Sequence, residues 1–544
     1  MENKHIVAID AGSSKISIAV GFEADNGFRI MYYRALPSAG IHQGRIQNAQ
    51  QASEVIQELI GGVKEELGLV VNQAVVNVPS YPIIQRSAKG SLDREDDTMV
   101  QEQEIDMLEM QACDQVLKQE DEKVGMSIYR CVSQSFSDGA DFPIGKDDII
   151  GRFTDHIEGY YEVFLGNSRQ LANIDNTLGL QDMISARRLF MPECVAKMVL
   201  DPTDVENGVA LVDIGGDVTS VSIFTGGILR YYDSIPFGGR SVTMDIRNEC
   251  GLAETLAENI KKAYGICCPD KLLSMSDKFL RIKQRDSTRT KEVGVKYLSE
   301  IVTARMKEIF NAVLYIIQQS QLADELGSGI VLTGGGAMLT NCSKLLNEMS
   351  GYNVRVGRIG KRFASLPKEL QLPSTAGCLG LLYAGRGLNK VWFVTDPEDP
   401  RFNAIENDPA EEKEPEKPVE TPSAQDEKVT EEPKEAVTPE DTTVTPEKTE
   451  VKPEIRPEVK PETKPAAKPE TKAEAKPAAK PENGSLFGNT FSRSATPAAH
   501  TAPATKKGGR LIDKIGKKVN SALQNIMDSD EKGDVGDLFG DDAF

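Results

Sequence analysis

Apolar and polar positions in the first 395 residues follow two alternating rhythms. The runs "IVAIDAGSSKISIAVGF" (6–22) and "VALVDIGGDVTSVSIFTGG" (209–227) each give an apolar strand, an Asp, a turn of small residues and a second alternating strand. That order predicts two β-hairpins built alike. A third run, "SGIVLTGGGAMLTNCSKLL" (328–346), leads a continuous apolar strand into three glycines and then a helix. Helix-like stretches separate these strands, which predicts an α/β architecture of two or more domains. After "AVVNVP" the segment 83–160 reads as an insertion: an acidic helix around 93–118, a strand at "MSIYRCVSQSF", a loop at "FPIGKDDIIGRF" and a strand at "GYYEVFLGN".

Beyond position 395 the pattern changes. Residues 396–505 are rich in Pro, Glu, Lys, Ala and Thr with almost no aromatics, so ordering them would cost entropy with no core in return. A flexible chain of that length spans on the order of 55–60 Å. It reads as a tether. The following stretch "GRLIDKIGKKVNSALQNIMD" (510–529) regains helical periodicity. On a helical wheel Leu511, Ile512, Ile515, Val519, Ala522, Leu523, Ile526 and Met527 fall within an arc of about 160°, while Lys514, Lys517 and Lys518 lie outside it. Such a face suits either a membrane interface or a groove on another protein. An acidic tail, 528–544, follows.

The net charge of −20 and the absence of a basic stripe interleaved with aromatics predict no nucleic-acid partner. Eight cysteines without a CxxC pair and four scattered histidines predict reduced thiols and no Cys/His metal site. No signal-type or membrane-spanning apolar run occurs, so a cytoplasmic location is expected.

The hairpin turns carry the candidate chemistry. Turns of glycine and hydroxyl residues expose backbone N–H groups that can hold phosphate oxygens, and Asp10 and Asp213 at the strand ends suit a Mg²⁺ bound through water. In "LAENIKKAYG", Glu258 and Lys261 share one helical face and can bracket a ribose or base edge. A surface ion pair is the alternative for that pair.

This order of elements resembles the actin/Hsp70/sugar-kinase superfamily of ATP-binding proteins, and the insertion and amphipathic tail resemble the FtsA family of bacterial cell-division proteins. The resemblance implies an actin-like two-domain ATPase fold. Its first half would be 1–204 with the inserted subdomain at about 83–160. Its second would be 205–388 with a smaller subdomain at about 245–325, and the linker 396–505, helix 506–527 and acidic tail 528–544 would follow. It also implies phosphate contacts at Asp10, Gly12, Ser13, Ser14, Lys15, Asp213, Gly215, Gly216 and Thr219, and nucleoside contacts at Glu258, Lys261, Gly334, Gly335 and Gly336, with ATP and Mg²⁺ as cofactors. The expected activity is ATP binding with at most weak hydrolysis.

The partners implied are the C-terminal peptide of the tubulin-like FtsZ at the smaller subdomain, further copies in filaments, other divisome proteins and membrane lipids. Lipids would meet the apolar face of 511–527 and its lysines, each lysine adding about 1 kcal/mol near an anionic surface. The expected location is the cytoplasmic face of the membrane at the division site. The second motif departs from the family pattern "DIGGGTT": Asp217 stands at a glycine position and Val218 at a threonine position. Two like charges 4 Å apart repel by roughly 4 kcal/mol at an effective dielectric near 20, so Asp217 must turn outward or bind Mg²⁺ itself. The alternatives are a sugar or acetate kinase-like phosphotransferase, and a chaperone or pilus-assembly ATPase of the same fold.

Overall fold

The computed structural model describes residues 5–24, 27–120, 125–139, 142–272, 275–283, 290–360, 362–388 and 393–395. The linker, the amphipathic helix with its expected lipid-facing residues, and the acidic tail all lie outside them.

Two sheets repeat one strand order. In the first, Gly27–Pro37, Lys15–Ala24 and His5–Ala11 form an antiparallel meander that continues into the parallel strands Gln73–Asn77 and Ile184–Leu189, with Phe363–Ser365 added at the meander's outer edge. In the second, Ile228–Ile235, Thr219–Thr225 and Val209–Ile214 form the meander, and Ile330–Thr333 and Val354–Val356 are the parallel strands. The α/β duplication anticipated from the two hairpin runs is therefore present in the sheets themselves.

Side-chain alternation ties the halves together. Along Val209–Ile214, Val209 and Leu211 join the core of the first half, whereas Ala210, Val212 and Ile214 face a second core packed against the helix Val295–Gln319. Both faces of this strand are covered, which is why "VALVDI" reads as a continuous apolar run with one Asp at its end.

The insertion is a three-stranded sheet, ordered Ile84–Met99, Phe153–Asn167, Met126–Ser137, with the helix Glu102–Glu120 laid across one face. Ile105, Leu108, Ala112 and Val116 recur at helical spacing and meet Ile157, Tyr161 and Val163 in a separate core. Here the sequence expectation needs correction. The acidic stretch from position 93 onward continues a strand to Met99 because it pairs with Phe153–His156, and the helix begins only at Glu102. Glu104 turns back to accept the Gln101 N–H at 2.8 Å, which caps the helix start. The strand expected at "GYYEVFLGN" likewise starts earlier, at Phe153.

The smaller part of the second half carries the helices Gly239–Cys250 and Glu254–Tyr264 and the hairpin Phe279–Lys283 with Thr290–Gly294. Among the described residues no helix is long and apolar enough to cross a membrane.

Candidate nucleotide-binding cleft

Each hairpin closes with the same bond. Gly12 N–H donates to the Lys15 carbonyl at 3.1 Å, and Gly215 N–H donates to the Val218 carbonyl at 2.9 Å. Matched turn to turn, Ser13 corresponds to Gly216, and Ser14 to Asp217. The two turns touch: a Cβ on Gly216 would lie 2.8 Å from the Ser14 Cβ and 3.0 Å from its N, so a side chain there would part them. On the far side, the start of the helix Gly239–Cys250 grips the second turn, with Gly239 N–H on the Gly215 carbonyl (2.9 Å) and Arg240 N–H on that of Gly216 (2.8 Å). The C=O and N–H of a trans peptide point in opposite directions. The N–H groups of Gly216 and Asp217 thus face away from that helix, as an anion-holding nest requires.

Beneath the turns sit two partly buried carboxylates at equivalent strand positions, Asp10 opposite Ser17 and Asp213 opposite Ser220. Burial raises the Asp10 carboxyl above its ordinary value, and the nearby Lys15 charge opposes the rise. Asp213 is pushed up to about 6, first by burial and then by the negative charge of Asp10, again against Lys15. Two carboxylates that discourage each other's ionisation form an oxygen donor pair that a hard divalent cation would relieve. Among the described residues no group of three or more His, Cys, Asp or Glu side chains could hold a metal ion. A Mg²⁺ on Asp10 and Asp213 would therefore need water and ligand phosphate to complete its shell, and the residues fit it on those terms.

The remaining expected contacts divide. Gly334 has φ +80°, and a Cβ there would fall 2.2 Å from the Asp213 Oδ1, so glycine lets the third run pass directly against the carboxylate. Gly336 packs on Ile214, whereas nothing lies within 4 Å of a Cβ placed on Gly335, which leaves its face open to a flat ligand. Lys15 Nζ donates to the Ser374 carbonyl (2.7 Å) and the Tyr33 hydroxyl (3.2 Å). Thr219, fully buried, spends its hydroxyl on the Phe237 carbonyl at 2.8 Å.

Glu258 and Lys261 pair at 2.7 Å, and Lys261 Nζ also donates to the Gly239 carbonyl and the Thr243 hydroxyl, both at 2.8 Å. Lys262 adds a second cation to Glu258 at 3.2 Å. Burial acts to raise the Glu258 carboxyl, but Lys261, the Thr243 hydroxyl and Lys262 together outweigh it and the net direction is down. Burial lowers the Lys261 ammonium, with Glu258 opposing. The pair is therefore no loose surface ion pair: it fastens its helix to the segment that grips the second turn. Gly239 thus links Lys261 to the second turn, and Gly334 sets the glycine run against Asp213.

Several participants give no signal in the sequence pattern. Asn77 accepts the Ala11 N–H at 2.8 Å and so fixes the strand end before the first turn. The pair Gly238 and Gly239 is legible only as "FGG". Gln43 and Gly44 form a hairpin tip that touches both turns: Gln43 N–H donates to the Asp217 Oδ2 (3.0 Å) and Gly44 N–H to the Ser13 Oγ (2.8 Å). Asp217 is turned toward this tip, where its Oδ2 accepts the Gln43 N–H.

Residues 210–380 match the family model described as cell division protein FtsA. The cell division protein FtsA of Neisseria meningitidis serogroup B is 24% identical over 385 residues, covering 70% of this chain and 90% of that protein. The FtsA of Pseudomonas aeruginosa is 27% identical over 387 residues, covering 70% and 89%. Among solved structures, a chain of the "PilM-PilN type IV pilus biogenesis complex" superposes with a TM-score of 0.50 at 13% identity, covering 70% of this chain and 98% of that one. That likeness concerns the fold alone.

Proposed function

We propose, from its similarity to the FtsA cell-division proteins and its actin-like α/β core, that the chain is an ATP-binding, membrane-tethered scaffold of the division machinery. One observation carries the nucleotide part: two equivalent turns meet face to face above the carboxylate pair Asp10 and Asp213, with an open glycine surface at Gly335 alongside. In this reading the N–H groups of Gly216 and Asp217 and the hydroxyls of Ser13 and Ser14 receive the phosphates. Asp10 and Asp213 orient a water-bound Mg²⁺, which supplies charge neutralisation. Glu258, Lys261 and Gly334–Gly336 form the wall for the nucleoside.

The core self-associates into actin-like filaments. The smaller part of the second half takes the FtsZ C-terminal peptide, and the helix at 506–527 holds the assembly to the cytoplasmic face of the membrane at the division site. A kinase-like reading would need a general base facing a second substrate.

The test is co-sedimentation with anionic liposomes, comparing the full chain with a version ending at residue 505, each with and without an FtsZ C-terminal peptide. The full chain should carry the peptide into the pellet and the shortened one should leave it in the supernatant. Equal pelleting by both would remove the tether, and a peptide left in the supernatant by the bound full chain would remove FtsZ as partner.

A further inference from the structure

The hairpin Ile41–His42 with Arg45–Ile46 is a small element with an unusual tip. Its register, Ile41 to Ile46 and His42 to Arg45, leaves a two-residue loop of Gln43 and Gly44 with φ values of +48° and +70°. Two consecutive positive φ values mark a type I′ turn, for which Asn-Gly or Asp-Gly is the usual choice and Gln an uncomfortable one. A strained residue persists where its surroundings hold it, and here they do. The base of the hairpin is anchored in the first half by the buried Ile41 and Ile46 and by Asn173 Nδ2 on the Ile46 carbonyl at 2.9 Å. The tip spends one N–H across the cleft, Gln43 on the Asp217 carboxylate of the second half, and the other within the first half, Gly44 on the Ser13 hydroxyl. Gly44 fits closely, since a Cβ there would lie 2.9 Å from the Ser80 Oγ and 3.6 Å from Val218 Cγ2.

We propose that the Gln43–Gly44 tip is a latch across the two phosphate turns, and that Asp217 thereby makes the site discriminate against a nucleoside triphosphate relative to a diphosphate. This rests on the nucleotide reading above. With the nucleoside against Gly334–Gly336, the length of the phosphate chain decides how far a ligand reaches between the turns. The outermost phosphate of a triphosphate arrives where Ser13 and Asp217 stand. It accepts the Ser13 O–H, whose oxygen already accepts the Gly44 N–H, and meets a carboxylate of its own sign at Asp217. The tip must release Asp217 before that phosphate settles, and a diphosphate, one phosphate shorter, leaves the latch in place. Asp217 is thus a specificity-determining residue that acts through a backbone contact as well as through its charge.

The experiment uses the full chain and its Asp217→Gly, Asp217→Asn and Gly44→Ala variants. ATP and ADP are titrated with Mg²⁺ by calorimetry, and amide exchange across residues 40–47 is followed without nucleotide. Asp217→Gly should shift the ATP-to-ADP affinity ratio toward ATP at least tenfold and speed exchange at the Gln43 amide at least tenfold. Asp217→Asn keeps an acceptor for Gln43 without the charge, so it should shift the ratio while leaving that amide protected. Gly44→Ala crowds Ser80 and should free the tip with both phosphate turns unaltered in sequence. An affinity ratio within twofold of the parent in Asp217→Gly, or an unchanged Gln43 amide there, overturns the latch while leaving nucleotide binding intact. Absence of binding to either nucleotide by the parent and all variants overturns the nucleotide reading, and the discrimination falls with it.

Discussion

Replacing Asp213 with Asn should stabilise the protein at neutral pH while removing its Mg²⁺-dependent nucleotide binding. The carboxyl is pushed from its ordinary 3.8 to about 6, mainly by burial and next by Asp10. Between those two values the folded protein holds the proton that the unfolded chain has released. Stability therefore falls as pH rises from about 4 through about 6 and then levels off, so at pH 7.5 the ionised group carries its full cost. At roughly 1.4 kcal/mol per tenfold change that cost is about 3 kcal/mol, and solvent screening at this partly exposed site reduces it to about 1–3 kcal/mol. At ~2 °C per kcal/mol for a protein of this size, Asp213→Asn should raise the Tm by about 2–6 °C. The assay is thermal unfolding of parent and variant at pH 7.5 and pH 4.5 without nucleotide, followed by Mg²⁺-ATP titration at pH 7.5. The Tm advantage of the variant should shrink at pH 4.5, where the parent carboxyl is protonated. A variant less stable than the parent by the same margin at both pH values would refute the reasoning, because it would show Asp213 to be held by hydrogen bonds and not merely tolerated for a ligand's sake.

Gly216→Ala should part the two turns, since its Cβ would sit 2.8 Å from that of Ser14; a loss of about 1–3 kcal/mol in stability, read by denaturant unfolding, is expected from overpacking. Ending the chain at residue 395 should leave cooperative unfolding intact, whereas Phe393→Ala, which empties a site only 1% exposed, should cost about 3–5 kcal/mol in the same assay. In the helix expected beyond the linker, Ile515→Glu should weaken anionic-liposome binding at least tenfold while Asn520→Glu changes it little, because burial of an Ile is worth about 1.5–3 kcal/mol and a charge adds a further penalty. Equal binding by the two variants would favour a protein groove over a lipid surface.

What the sequence made legible was local. The two hairpins needed only a strand, four turn residues and another strand in a row, so Asp10 and Asp213 could be matched from the order of residues alone. The glycine run at 334–336 announced itself in the same way. What stayed hidden depended on distant partners. The acidic stretch after position 93 is a strand because it pairs with residues sixty positions on. The Lys15 ammonium is drawn to a carbonyl 359 residues away, and the Asp217 carboxylate is held by an amide 174 residues before it. Glu258 and Lys261 were visible as a helical pair, but their link to Gly239 came from packing of one helix on the next. Charge and spacing gave the inventory of groups, and the pairing of remote strands decided which of them face the cleft.

Everything proposed for the cleft depends on one nucleotide binding between the two turns above the carboxylate pair. Calorimetric titration of the full chain with Mg²⁺-ATP, alongside the double variant Asp10→Ala with Asp213→Ala, addresses that dependence without intermediaries. The parent should show a single saturable site per chain, and the double variant should give no Mg²⁺-dependent heat. A parent without saturable binding, or a double variant that binds Mg²⁺-ATP as tightly as the parent, would rule the nucleotide site out.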